Sequence, residues 1–383
     1  MKLRFFTLHS SLFTILTPSL CALCLLSALC APLEAQNPYI AQVFDYTPAP
    51  GQFVNEMPEW EEGDDAEAMR QKAEDCLRDH NQITITLGSW GGYVIFGFDH
   101  EVKNILGQYD FKLLGNSFYQ ETDGVTSVKT GSAEPGIVMV SYDANANGQP
   151  DDPWYELAGS MHSHPATQPG YTCTYYRTPA DHEATPDPAN KYIKDTSYIR
   201  WTATGGETGY VKKLSFHKQD YYPRWIAADS LTFTGTRLPD NNLDLSGNGT
   251  NLVLYCYDWG YADNQPNSFG GDKTDQSIAE HLRHPSEFKI DWATDSDGNP
   301  VQLPGIHFVK VYTAVNQFNG WMGEASTEVT DAWDLHLLDA GNLGVGSLSA
   351  LVAHAQVDNR AHLVRSCQQS AFLGRGLPQI GAA

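Results

Sequence analysis

Ile306-His-Phe-Val-Lys-Val-Tyr-Thr-Ala-Val315 decides the fold class of this 383-residue chain. Side chains alternate across a strand, so the run carries two apolar rows. Ile306, Phe308, Tyr312 and Ala314 form one row, and Val309, Val311 and Val315 form the other. A strand that is apolar on both faces needs a covering layer on each side, as in a sandwich interior. Upstream, Ile83–Leu87, Tyr93–Phe98, Tyr109–Phe118 and Ile137–Tyr142 read as strands. A long proline-punctuated stretch then gives way to Tyr198–Thr202, Leu231–Phe233, Leu252–Tyr257 and Phe288–Ala293. Asp297-Gly298 predicts a hairpin that joins the last of these to Ile306–Val315.

One segment reads as a helix. Asp64 and Asp65 stand at its start, and Met69, Ala73, Cys76 and Leu77 recur at helical spacing. Strands do not alternate with helices, and no repeat of fixed period is visible, which disfavours propellers and solenoids. The expectation is an all-β protein, a β-sandwich of jelly-roll type with one N-terminal helix and a loosely packed C-terminal tail. Residues 1–35 read as a signal peptide, with Lys2 and Arg4 ahead of an interrupted apolar run. Cleavage after Ala35 is favoured over lipidation of Cys30, because Leu29 is bulky. Residues 36–80 then form an extended segment and the helix, 81–337 the β-sandwich ligand-binding domain, and 338–383 the tail. Within the tail, Ser347–Val357 is expected to form a short helix.

The net charge of −22, from 46 acidic and 24 basic residues, repels phosphate backbones and argues against a nucleic-acid partner. No later apolar run is long enough to span a bilayer. Cleavage leaves Cys76, Cys173, Cys256 and Cys367, with no CxxC pair, so a local zinc knuckle is excluded. Disulfides are allowed outside the cytoplasm, but a core this size does not need them, and free buried thiols are at least as consistent with the spacing.

Asp143-Ala-Asn-Ala-Asn-Gly-Gln-Pro-Asp-Asp152 places oxygen-bearing side chains at alternate positions ahead of a glycine. Hard cations such as Ca²⁺ take six to eight oxygen ligands from flexible loops of this pattern. Asp143, Asn145 and Asn147 would ligate through side chains, Gln149 through its carbonyl, and Asp151 or Asp152 would complete the shell. A helical calcium hand would end in Glu where Trp154 stands, and both flanks read as strands, so a structural calcium loop joining two strands is expected. An Asn147-Gly148 hairpin turn with solvated acids is the alternative. Glu134 or Asp99, each at a strand end, is a further candidate ligand for the same ion.

His162-Ser-His164 puts two imidazoles on one face if the segment is a strand, a geometry suited to zinc with Asp181, His182 or Glu183 as third ligand. Asp258-Trp-Gly-Tyr-Ala-Asp-Asn264 mixes aromatics with acids and amides. Exposed, Trp259, Tyr261, Asp263 and Asn264 would stack on a sugar or corrin face and bond its edges. Buried, they are core, the expected fate of Trp90, Trp225 and Trp321 as well.

Several stretches together resemble a family of exported Bacteroidetes cell-surface proteins. They are Tyr46-Thr-Pro-Ala-Pro-Gly-Gln-Phe-Val-Asn55, Gly92–His100, Asp110–Asn116, Glu134–Val138, the acidic loop with Trp154–Gly159, Tyr221-Tyr-Pro-Arg-Trp225, Tyr257–Asn264, Leu303–Val309 and Gly320–Glu328. The likeness spans about residues 37–337. It implies location at the cell surface or outer envelope, association with outer-membrane nutrient uptake such as that of cobalamin, and no established catalysis. The expected function is therefore non-catalytic capture of a corrinoid or glycan by a calcium-stabilised β-sandwich. The alternatives are a metal- or carboxylate-dependent hydrolase of surface polysaccharide and a structural or adhesive surface module.

Overall fold

The computed structural model describes residues 36–120, 130–247 and 251–342. Among them the chain is mostly β, built from several antiparallel sheets, with no closed barrel. The largest sheet has six strands in the order Gln42–Thr47, Tyr93–Lys103, Gly305–Thr313, Gly136–Ser141, Trp154–Leu157 and Ala293–Thr294. Gly305–Thr313, the strand with two apolar rows, lies inside this sheet. Val309 faces Phe96 on one neighbour and Val140 on the other, and Val311 likewise faces Val94 and Val138.

Both faces of that strand are buried, as its double apolar pattern requires. Val94, Phe96, Val138, Val140, Val309 and Val311 share one core with helix residues Met69, Ala73 and Leu77 and with Phe111, Leu113 and Ala332. On the other face Tyr312 and Ile137 pack with Tyr257, Tyr261 and Leu238. Tyr93 also reaches a third cluster around Tyr171, Cys173, Tyr175 and Phe233. That cluster belongs to a four-stranded sheet, ordered Thr208–Leu214, Ile193–Ala203, Gln168–Tyr176 and Ser230–Arg237.

The helix forms where its spacing predicts, at Ala66–Leu77, and buries Met69, Ala73, Cys76 and Leu77. Asp65 caps it by accepting from the Ala68 N–H at 2.9 Å. Asp65→Ala is expected to cost about 1 kcal/mol, the usual worth of such a cap. The corresponding fall in melting temperature, roughly 3 °C, is read by calorimetry.

Several expectations need correction. Asp297-Gly298 does form a turn, with Gly298 at φ +78°, but it pairs Thr294 with Pro300. Ala293–Thr294 joins Trp154–Leu157, while Gly305–Thr313 runs on to the sheet centre, so the two are not hairpin partners. Phe288–Ala293 is no single strand, because a 3₁₀ turn at Ile290–Trp292 interrupts it. The proline-punctuated stretch hides Gln168–Tyr176, whose inward row is Tyr171, Cys173 and Tyr175. Its outward threonines bond across the sheet, Thr172 to Thr234 at 3.0 Å and Thr174 to Thr232 at 2.8 Å.

Trp90 is fully buried and Trp225 packs against the main core, but Trp321 is 44% exposed. Cys76 and Cys173 are buried free thiols. An unforeseen helix, Leu335–Asn342, ends the described chain, and no helix among the described residues is long and apolar enough to cross a membrane. The expected signal peptide, the helix at Ser347–Val357, Cys367 and the rest of the tail lie outside the described residues.

Candidate metal centre

Four segments meet at one end of the Gly136–Ser141 strand and bring three carboxylates together. Glu134 and Asp263 lie side by side because the Glu134 N–H donates to the Asp263 carbonyl at 2.9 Å and Gly136 and Ala262 exchange two backbone hydrogen bonds of 2.9 Å. Glu328 begins a short strand that pairs with Ile85–Thr86. Gly115, in the fourth segment, admits no side chain, since a Cβ there would lie 2.2 Å from Asp263 Oδ1. The result is Glu134, Asp263 and Glu328 with one carboxylate oxygen of each within 4.8 Å of the other two.

Asp263 is the hub. Its Oδ1 accepts the backbone N–H of Asn116 and of Ser117, both at 2.8 Å, and its Oδ2 accepts that of Glu328 at 3.0 Å. Asp263 itself sits at φ +48°, in the left-handed region that Asp tolerates better than most residues. Glu134 Oε1 accepts from Ser326 N–H at 3.0 Å. Glu328 accepts from the Thr86 hydroxyl at 3.3 Å and from Asn116 Nδ2 at 3.2 Å.

Asp263 and Glu328 are wholly buried. Among the described residues no lysine or arginine forms an ion pair with any of the three. Burial, and then the charge of its neighbours, holds the Glu134 and Glu328 carboxyls well above their ordinary range. Burial pushes Asp263 up to about 7, against the opposing pull of its backbone donors. Each carboxylate oxygen has two lone pairs, so acceptor capacity remains for a cation. Three buried carboxylates without a basic partner either share protons or hold a metal ion, and this triad could hold one.

The acidic loop lies at the other end of the same strand, between Gly136–Ser141 and Trp154–Leu157, which pair antiparallel. Its strand flanks are therefore as expected. Within it Asp143 accepts the N–H groups of Asn147 at 3.1 Å and Gly148 at 2.8 Å. Asp151 receives the side-chain amides of Asn145 at 3.2 Å and Asn147 at 3.0 Å. Gln149 N–H bonds Asn147 Oδ1 at 2.8 Å, and Asp152 accepts from Ala144 N–H at 3.0 Å. The oxygens thus turn inward, and Gly148 takes φ +70° as the bend requires.

Glu134 is not a ligand of this loop. About 17 Å of strand separates them, at about 3.3 Å per residue. Asp99 instead accepts from Asn37 N–H at 3.4 Å and contacts His100 Nδ1 at 2.6 Å.

The other sequence candidates are dispersed. His162 and His164 occupy a turn and not a strand, so they do not share a face as two strand positions would. His162 Nδ1 lies 3.5 Å from Glu156, and His164 is exposed. His182 bonds Asp195 at 2.6 Å, while Asp181 and Glu183 are exposed. Among the described residues the carboxylate triad is the one convergent set of acids, histidines or cysteines, and it contains no histidine.

Of the two aromatic side chains in Asp258–Asn264, only Trp259 is partly exposed, and it packs on Trp292 with centroids 4.7 Å apart. Tyr261 is buried, with its hydroxyl accepting from Met161 N–H at 2.9 Å. Asn264 is buried too, and its amide brackets the backbone of Tyr257 at 2.8 Å on both sides. With Asp263 in the triad, this stretch presents no aromatic rim to a ligand.

Sequence reading singled out Asp263 and Glu134 for other roles and met Glu328 only inside a longer motif. Asp263 and Glu328 are 65 positions apart, and nothing local signals their meeting. Comparison with protein-family models and with curated proteins yields no match to this chain.

Proposed function

We propose that this is an exported, non-catalytic binding protein of the cell envelope, with a body pinned by calcium and akin to the Bacteroidetes surface proteins that it resembles. The buried triad of Glu134, Asp263 and Glu328 carries the cation part of this reading. An all-oxygen donor set suits a hard cation, and three carboxylates offer up to six oxygens, the lower end of the calcium range. The inward-turned Asp143–Asp152 loop supports a second calcium position. Both would be structural, joining chain segments at the two ends of one central strand. Packing on both faces of the six-stranded sheet supports a sandwich of jelly-roll type as the finer architecture.

The export-type start and the likeness over residues 37–337 support the envelope location and capture of a glycan or corrinoid. The zinc-hydrolase alternative needed His162, His164 and an acid around one cation, and these residues do not converge. Calorimetric titration of the metal-stripped chain, residues 36–383, with Ca²⁺ and then with glycans and cyanocobalamin tests the reading. Calcium binding that weakens separately in Asp143→Ala and Glu134→Gln is expected, together with heat from at least one ligand. Silence toward calcium removes the cation part, and silence toward every ligand removes capture.

A further inference from the structure

A polar cleft of about 410 Å³ lies away from the triad, lined by Asn55, Glu56, Glu59, Trp60, Gln219 and Arg224. Asn55 builds it. At φ +71° and buried, its side-chain amide donates to the carbonyls of Asp220 at 2.7 Å and Tyr222 at 3.0 Å, and its oxygen accepts from Arg224 N–H at 3.0 Å. One side chain thereby fixes the loop that carries Arg224 against the turn that carries Glu56 and Glu59.

The remaining polar groups look into the cleft with little to satisfy them. Gln219 Nε2 donates to the carbonyls of Gln52 and Val54, which leaves its Oε1 buried and without a donor. Among the described residues the Glu56 carboxylate has one hydrogen-bond partner, His217 Nδ1 at 3.3 Å, and the exposed Glu59 carboxylate has none. Arg224 is exposed, makes no ion pair there, and lies over the Trp60 ring at 5.1 Å. The Trp60 Nε1–H is already engaged by Asp64 O at 3.2 Å, so only its ring is offered.

We propose that this cleft is a binding site for a neutral polyhydroxylated ligand, one or two sugar rings in size. The inference deepens the capture reading above by naming ligand class and place. Three acceptors, Gln219 Oε1, Glu56 and Glu59, face one multidentate donor, Arg224. A ligand whose every hydroxyl can donate and accept fits that imbalance, and it relieves the buried Gln219 oxygen, a group costly to leave unmet. The ring of Trp60 supplies an apolar face for the C–H side of a pyranose. Pockets of small ligands begin at about 300 Å³, so the volume suits a mono- or disaccharide and does not enclose a corrin macrocycle.

The test is calorimetry of the calcium-loaded chain, residues 36–383, against glucose, galactose, mannose, maltose, cellobiose, mannobiose and chitobiose, with putrescine and cyanocobalamin as separate arms. At least one sugar is expected to bind, with a Kd at least tenfold weaker in Glu59→Ala and in Arg224→Ala, both exposed positions whose variants keep the parental Tm. Trp60→Ala is expected to abolish binding, but the two exposed variants decide the matter if it fails to fold. A sugar that binds equally to wild type and both variants overturns the cleft and leaves envelope capture standing. Binding of cyanocobalamin alone does the same. Preference for putrescine over every sugar overturns the ligand class, and no binding in any arm sinks both proposals.

Discussion

Metal-free protein is expected to lose thermal stability as pH rises from about 4 to about 7, and calcium to restore it most strongly at the alkaline end. Asp263 is held at about 7 when folded and titrates near 3.8 when unfolded. A carboxyl raised by folding keeps its full contribution below the unfolded value and loses it as pH climbs through the folded one. For Asp263 the loss is on the order of 4 kcal/mol, at 1.36 kcal/mol per pKa unit. Glu134 and Glu328 shift in the same direction, and so does Glu324, which burial pushes up to about 7. His307, held below its ordinary value chiefly by burial, opposes the trend. It lies against Asp143 of the acidic loop, so both melting curves are taken in Asp143→Ala, where the difference between them isolates the triad. That difference is expected to be small at pH 4.5 and roughly 10 °C at pH 8. A calcium shift that is absent, or equal at both pH values, would mean that the triad shares protons and holds no cation.

Asp263→Ala is expected to be the most damaging single substitution at the triad. It leaves the N–H groups of Asn116, Ser117 and Glu328 without their acceptor, the last two of them buried. Each orphaned donor costs about 1–3 kcal/mol, so the sum reaches about 5 kcal/mol and brings the fold near its unfolding threshold. Asp263→Asn separates the staple from the charge. Its side-chain oxygen still accepts from Asn116 and Ser117, while its amide opposes the Glu328 N–H. The Asn variant should fold, melt between wild type and Asp263→Ala at pH 5, and, in the Asp143→Ala background, lose the calcium response at pH 8. Urea midpoints at both pH values check the order. If Asp263→Ala unfolds together with wild type, Asp263 is not the staple described above.

These outcomes bear on how far residues alone reveal a site. That the acidic loop joins two strands was legible, because both flanks carry strand patterns next to it in the sequence. The triad was not, although Asp263 and Glu134 were both singled out. Asp263 stands among aromatics, and a surface rim was the natural reading of that mixture. Burial reverses its meaning, because Tyr261 and Asn264 turn inward to bond the backbone beside it. The cleft escaped notice for a similar reason, since Asn55, Trp60 and Arg224 look ordinary in sequence. Their relation depends on one left-handed asparagine that ties two loops far apart in the chain.

Periodicity in the chain determined the helix at Ala66–Leu77, the doubly covered strand at Gly305–Thr313 and the mostly β class, because side-chain direction follows from local backbone geometry. Tertiary structure alone decided which strands became neighbours, which aromatics were buried, and that three distant carboxylates would share one water-poor corner. Strand pairing and burial are settled by contacts between segments remote in sequence, where no residue carries a local mark of its partner.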